Sequence, residues 1–281
     1  MQILDSLGRM PRGTAHRIGA LSLGLMLSVA ALAPATTASL AAPKAGCATP
    51  PAGQTQLQCV SAFGDNEIAR RDTALDTLSG KVTNQANAGH ITSAQATDLQ
   101  NDVSTNKSGL ATLKATLDAA STVQDARKDV ALIYTQFRIF AVVLPRDYHR
   151  LWLDMLITVD QKLRAAQTKI DAAIQATSSD ADKDGDKAAI AAAYQDFKNQ
   201  IAAAEGQIDG AQGLPPTLTP AQFDDPTSSY KKDYIDYVND IRTAHQDLVA
   251  ATTDLRKIAR LLRDLSGTHG SSTAPTTTQS T

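Results

Sequence analysis

The chain has 281 residues, and its 27 basic residues nearly balance its 29 acidic ones. Binding to nucleic acid depends on a basic field, so this charge balance argues against a nucleic-acid partner. Only 4% of the residues are aromatic, which makes any local cluster of aromatic side chains informative.

Residues 1–42 have the pattern of a secretory signal peptide. Three arginines precede an apolar run at residues 18–32, and small residues suited to signal peptidase follow it. The run of about 15 residues is shorter than the roughly 20 of a spanning helix, so a retained membrane anchor is the weaker alternative. No later segment is long and apolar enough to span. The mature protein is therefore predicted to be secreted or located in the cell envelope, without a stable membrane span.

The two cysteines, Cys47 and Cys59, lie in a predicted N-terminal loop at residues 43–64. Two cysteines in an exported chain most simply form one disulfide, and closing a loop of this size is worth about 3 kcal/mol. Lipidation of Cys47 is the alternative. It is disfavoured because Lys44 stands where a lipobox has an aliphatic residue, and it leaves Cys59 unpaired.

A first helical bundle is predicted over residues 65–144. Asp65 is the expected N-cap of its first helix, and capping boxes open the other two at Thr92 with Gln95 and at Ser121 with Gln124. Apolar residues three and four positions apart form a seam on each helix. The seams are Ile68, Leu75, Leu78 and Val82; Leu99, Val103, Leu110, Leu113 and Leu117; and Val123, Ala126, Val130, Ile133, Phe137, Phe140 and Leu144.

The least polar stretch beyond the signal covers residues 138–156 and holds the only tryptophan, Trp152. Pro145 interrupts it at a point where a regular helix would need an amide hydrogen. We therefore predict a proline-kinked apolar joint, followed by a second helical bundle at residues 145–266.

The second bundle is predicted to contain three helices, with a proline-rich connection at residues 214–226 before the last one. If its second helix returns along its first, three tyrosines of the last helix lie near two aromatic residues of the joint. These are Tyr230, Tyr234 and Tyr237, near Tyr148 and Trp152. The tail at residues 267–281 has no apolar periodicity and is predicted to be disordered.

Helices joined by short turns, with no strand-like alternation, predict an all-α protein. We expect elongated antiparallel bundles with coiled-coil-like seams, grouped as two three-helix bundles on either side of the joint. Long helices with such seams also favour self-association.

Three further segments follow one another in a recognisable order. A leucine-spaced hairpin (residues 110–118) is followed by an acidic turn (125–129) and by an Arg-aromatic-apolar-Pro run (138–145). Over about residues 65–210 this order resembles uncharacterised, exported, alanine-rich helical proteins of bacteria. The resemblance implies an all-helical fold, and it brings no activity, cofactor or catalytic residue with it.

The sharpest cluster of potential ligands lies between the fourth and fifth helices. Asp180, Asp182 and Asp184 fit positions 1, 3 and 5 of a calcium-binding EF-hand loop, Gly185 fits position 6, and Asp186 offers a carbonyl oxygen. Position 12, normally a bidentate glutamate, is Ala191. The loop is therefore a candidate calcium site that lacks its strongest ligand, and an ordinary acidic helix cap is the competing interpretation.

Two other charged groups have mainly structural interpretations. Ion pairs are expected for Arg138 and Arg146 at the rim of the joint, with Asp147 and Asp154 nearby, although the joint aromatics would form a groove if the bundles splayed. The basic end of the last helix complements the negative end of the helix dipole. This group comprises Arg256, Lys257, Arg260 and Arg263.

No catalytic pattern is present: the histidines are scattered, and there is no glycine-rich phosphate loop or nucleophile elbow. We therefore expect a non-enzymatic, exported helical scaffold or binding module without a cofactor, whose partner is a protein or a cell-wall component. A calcium-dependent binding module using residues 180–186 is the alternative. A surface-active module that opens at the joint onto lipid is a third interpretation.

Overall fold

The computed structural model describes residues 47–176, 185–215 and 218–267. These residues form helices and no strands, which confirms the predicted all-α class. The α-helices are α1 (Gln56–Asn87), α2 (Ser93–Asp118), α3 (Val123–Leu132), α4 (Leu144–Gln175), α5 (Asp186–Gln212), α6 (Pro220–Asp224) and α7 (Tyr230–Gly267). None of the described helices combines the length and the apolar character that crossing a membrane requires.

The described residues fall into two compact units. The first contains residues 160–176, 185–204 and 246–267, and the second contains residues 47–159, 205–215 and 218–245. Because α4, α5 and α7 are continuous helices that pass from one unit to the other, the chain changes unit inside helices rather than in loops.

The helix starts follow the side-chain capping rules, with two corrections to the predicted positions. Thr92 and Gln95 form the predicted capping box of α2. The first helix, however, is capped by Thr55 with Gln58, so the prediction of Asp65 as its N-cap is wrong. At α3 the capping residue is Thr122 rather than Ser121, and its hydroxyl accepts the amide hydrogen of Asp125. At α3, the adjacent hydroxyl residues Ser121 and Thr122 offered equivalent caps, so sequence alone did not rank them.

In the second unit, α1, α2 and α3 pack through the predicted seams. Leu75, Leu99 and Leu117 are fully buried, as leucines repeating at three and four positions should be in a helical core. Cys47 and Cys59 are bonded to each other, as predicted, with their Cα atoms 5.7 Å apart. The buried Cys47 joins the same core, so this bridge fixes the residues before α1 to the helices.

The connection between α3 and α4 is broken in a way that the sequence did not predict. Two π-helical segments, Ile133–Phe137 and Ile139–Val143, flank Arg138, whose backbone is left-handed with φ 40°. Pro145 lies in the first turn of α4, where a missing amide hydrogen removes no helical bond. The departure from regular helical geometry therefore centres on Arg138, seven residues before the proline.

The first unit buries apolar residues of α4, α5 and α7. Its buried residues include Leu163, Phe197, Ile201, Leu248 and Ile258. The Tyr194 hydroxyl donates a hydrogen bond to Asp171, which joins α5 to α4. These positions match the seams expected from helical periodicity.

Candidate functional site

The richest concentration of charged and aromatic side chains lies in the second unit, at the start of α4. Residues 146–154 supply charges at spacings of three, four and seven, which places several of them on shared faces of the helix. One set of side chains contacts α2, and another contacts α7. We call the first set, with Tyr237 of α7, the polar cluster; it comprises Gln95, Asp102, Arg146, Asp147, Arg150, Asp154 and Tyr237. The second set, with the rings that continue it on α6 and α7, is called the aromatic row.

The polar cluster joins α4 to α2 through charged hydrogen bonds. Arg150 Nη1 donates to Asp102 Oδ2 over 2.8 Å, and Gln95 Nε2 donates to Asp154 Oδ1 over 3.1 Å. Within α4, Arg146 Nε donates to Asp147 Oδ1 over 2.7 Å. The predicted ion pairing of Arg146 at the joint is confirmed.

Three polar atoms of this cluster are buried without a hydrogen-bond partner among the described residues. They are Asp147 Oδ2, Asp154 Oδ2 and the hydroxyl of Tyr237 on α7. Asp147 and Tyr237 are both 0% exposed, so water does not reach these side chains directly. A buried polar atom without a partner costs about 1–3 kcal/mol, so this site is maintained at the expense of stability.

Burial also sets the ionisation of the cluster. It raises the pKa of Asp154 to about 6, against the opposing effects of Arg150 and the Gln95 hydrogen bond. Burial likewise raises the pKa of Asp147, although Arg146 opposes the shift. The pKa of Tyr237 is raised by burial and by the nearby Asp154 carboxylate, so its hydroxyl stays protonated. The cluster can therefore take up a proton at mildly acidic pH.

The aromatic row runs from α6 across α7 and α4. Its rings are Phe223, Tyr230, Tyr234, His149, Trp152 and His245. The separations between successive ring centroids along this order are 5.1, 6.1, 5.8, 6.4 and 5.7 Å. Such distances are typical of favourable edge and offset ring contacts.

His149 is the centre of the aromatic row. Its Nδ1 lies 2.7 Å from the carbonyl oxygen of Pro145, and because a carbonyl only accepts, this contact assigns a hydrogen to Nδ1. Tyr237 also contacts the His149 ring, at 6.2 Å between centroids. Burial lowers the pKa of His149, which favours the neutral imidazole. The α7 tyrosines were predicted to lie near Tyr148 and Trp152; Tyr234 and Tyr237 instead contact His149, whose ring lies 6.4 Å from that of Trp152.

A second charged network lies beside the π-helical segments. Glu67 accepts hydrogen bonds from Arg71 and from the Tyr134 hydroxyl, both over 2.8 Å, and from Arg70 over 2.6 Å. Burial would raise the pKa of Glu67, but these three hydrogen bonds outweigh it and lower that pKa. The Arg71 guanidinium also lies over the ring of Phe140, which is 40% exposed. This network fixes α1 against the π-helical segments.

Most of the predicted calcium loop cannot be compared with the structure. Asp180, Asp182 and Asp184 lie outside the described residues, and Asp186 is the first residue of α5. Gly185 has a left-handed backbone with φ 76°. Within the described ranges, no group of three or more His, Cys, Asp or Glu side chains is arranged to hold a metal ion.

The sequence pattern missed several members of the site. The partner of Arg138 is Asp224 on α6, a helix that was not predicted. Asp102 was not singled out, Gln95 was predicted only as a capping residue, and Tyr237 only as a neighbour of the joint, because their roles in the site depend on contacts between distant segments. One local signal was present: Asp147 and Asp154 are seven residues apart, on one face of a helix that is otherwise apolar there.

Comparison of the chain with protein-family models, with curated proteins and with solved structures yields no match.

Proposed function

We propose that this protein is a non-enzymatic, exported helical scaffold or binding module of the cell envelope or extracellular space. Its partner is a protein or a cell-wall component. The aromatic row carries this proposal, because aromatic side chains supply a large share of the binding energy at protein interfaces. Phe223, Tyr234, Trp152 and His245 all keep part of their surface exposed.

The binding proposal is tested by capture from an envelope extract with matched variants. Tyr234→Ala removes a central ring of the row, whereas Ile235→Ala removes a neighbouring aliphatic side chain that is 58% exposed. We expect Tyr234→Ala to lose the captured partner and Ile235→Ala to retain it. Titration of the isolated partner should then shift the fluorescence of Trp152, the only tryptophan. Equal capture by both variants contradicts a role for the aromatic row.

A calcium-dependent binding module is the second candidate. The observation that favours it is the left-handed backbone of Gly185, since the sixth position of a calcium-binding loop uses glycine for a sharp turn. Thermal unfolding in millimolar calcium and in chelator tests it. A ligand at a hundred times its dissociation constant adds about 2.7 kcal/mol to the stability of the folded state. We expect a higher midpoint in calcium, which Asp182→Ala abolishes; superimposed unfolding curves refute the candidate.

We further propose that the helices of this scaffold are arranged as two three-helix bundles, residues 65–144 and 145–266, with the apolar joint between them. The buried seams of α1, α2 and α3 support the first bundle. Expression of residues 43–144 alone tests the division. A cooperative helical unfolding transition supports an independent first bundle, and a non-cooperative one argues against it.

A further inference from the structure

Arg138 holds an unfavourable backbone conformation between two irregular helical segments. It is the one described residue other than glycine with a positive φ. In a left-handed conformation the Cβ atom of an L-residue approaches its own carbonyl oxygen, which costs roughly 1–2 kcal/mol. Such strain persists only where surrounding contacts maintain it, and it is concentrated at functional and switching segments.

The contacts that maintain it come from the short helix α6. The Arg138 guanidinium donates two hydrogen bonds to the Asp224 carboxylate, of which the Nε to Oδ2 distance is 2.8 Å. The same guanidinium lies 4.7 Å from the ring centroid of Phe223. Phe223 in turn packs against Tyr230 at 5.1 Å between centroids, which ties α6 to the first turn of α7.

The attachment of α6 to the rest of the second unit is weak. The helix has five residues, and none of them is buried. Asp224 has 41% of its side chain exposed, so salt and water reach the ion pair. A segment with little buried surface opens at low free energy compared with the core.

The sequence of the joint favours a different conformation from the observed one. Apolar residues alternate at four and three positions from Val123 to Leu144 without interruption, which is the pattern of one regular helix. In the structure that path is replaced by the segments Ile133–Phe137 and Ile139–Val143, with the break at Arg138. Local preference and the α6 contacts therefore act in opposite directions on the same residues.

We propose that α6 is a latch: its contacts with Arg138 hold residues 133–143 in the broken form, and release of the Arg138–Asp224 pair lets this segment relax towards regular helix. The latch is independent of the identity of any partner. It acts through two conformations whose balance depends on one exposed ion pair.

Hydrogen–deuterium exchange of the full chain, followed by mass spectrometry, tests the latch. Asp224→Asn removes the ion pair, and the amides of residues 133–143 should then exchange roughly fivefold more slowly, because the segment gains regular helical hydrogen bonds, while those of α2 keep their rates. Asp225→Asn is the matched control, because the Asp225 carboxylate accepts hydrogen bonds from Thr227 and, among the described residues, forms no ion pair with Arg138. It should leave exchange in residues 133–143 unchanged.

The variant Arg138→Gly separates the effect of backbone strain from simple loss of the Arg138–Asp224 pair. Arg138→Gly removes the ion pair and the backbone strain together, because glycine adopts a positive φ without strain, so exchange in residues 133–143 should stay close to that of the unaltered protein. In the unaltered protein, 1 M salt should reproduce the Asp224→Asn effect, which keeps the test valid if a variant fails to fold. The proposal is overturned if Asp224→Asn and high salt leave the exchange of residues 133–143 unchanged or accelerate it, or if Arg138→Gly slows it as much as Asp224→Asn does.

Discussion

Within the same unit, the packing of α1 to α3 and the start of α4 differ in the kind of side chain that they bury. Along the seams of α1, α2 and α3, the buried side chains are apolar and pack into one core. At the start of α4, buried carboxylates and a buried hydroxyl meet with some atoms unpartnered. The first region stabilises the fold, whereas the second costs stability and supplies chemistry. Four experiments test this contrast, and they are ordered by the size of the expected effect.

The largest effect is expected in the apolar region. Leu117 is fully buried, and its side chain lies where a Cβ on Gly64 would be, so the surrounding helices have little freedom to collapse. Leu117→Ala should lower the free energy of unfolding by about 3 kcal/mol or more through lost burial and a residual cavity. Urea denaturation measures the loss. A loss below about 1 kcal/mol would show that α1 and α2 repack freely at this position.

The polar region should show its effect in the pH dependence of stability. The pKa of Asp154 is raised from 3.8 to about 6 in the folded state. Between about pH 4 and 6 the unfolded state loses this proton while the folded state keeps it, so stability falls as the pH rises through that window. Below the window both states are protonated and the full stability is present.

Asp154→Asn isolates this contribution, because asparagine keeps an oxygen that accepts from Gln95. Between pH 4 and 7, the free energy of unfolding of the unaltered protein should fall by about 2 kcal/mol more than that of the variant. Urea denaturation of both proteins at a series of pH values measures the difference. Burial lowers the pKa values of His149 and His245, which acts in the opposite direction, but both histidines are common to the two proteins. If the free energy of unfolding varies with pH in the same way in both proteins, Asp154 is not a buried group that takes up a proton.

Close approach of helices gives the next effect, and two glycines form a matched pair. A Cβ at Gly109 would lie 2.5 Å from the Phe137 ring, whereas one at Gly80 on α1 meets nothing within 4 Å. Gly109→Ala should lower stability by about 1–3 kcal/mol through overpacking. Gly80→Ala should raise it by roughly 0.5–1 kcal/mol, since alanine is the better helix former. Changes of the same sign in both variants would show that the contact of Gly109 with Phe137 does not limit the packing.

The same contrast explains how much the sequence could predict. Helix class, the α2 capping box and the buried seams follow from local periodicity, and Leu75, Leu99 and Leu117 behaved accordingly. The break at Arg138 did not follow, and the carboxylate that Arg138 contacts there belongs to Asp224, 86 residues further along the chain. Gln95 with Asp154 and Tyr237 with His149 depend equally on long-range packing. Local propensity therefore located the apolar region and left the composition of the polar cluster undetermined.

The smallest expected effect is a gain in stability rather than a loss. The Tyr237 hydroxyl is buried without a hydrogen-bond partner among the described residues, so Tyr237→Phe removes a desolvated polar group and keeps the ring against His149. Stability should rise by about 1 kcal/mol. Tyr194→Phe in the other unit is the control: its hydroxyl donates to Asp171, so its removal should lower stability by a similar amount. A loss of stability in Tyr237→Phe would show that the hydroxyl is satisfied in solution. The start of α4 would then be a fully bonded polar network rather than a site maintained at the expense of stability.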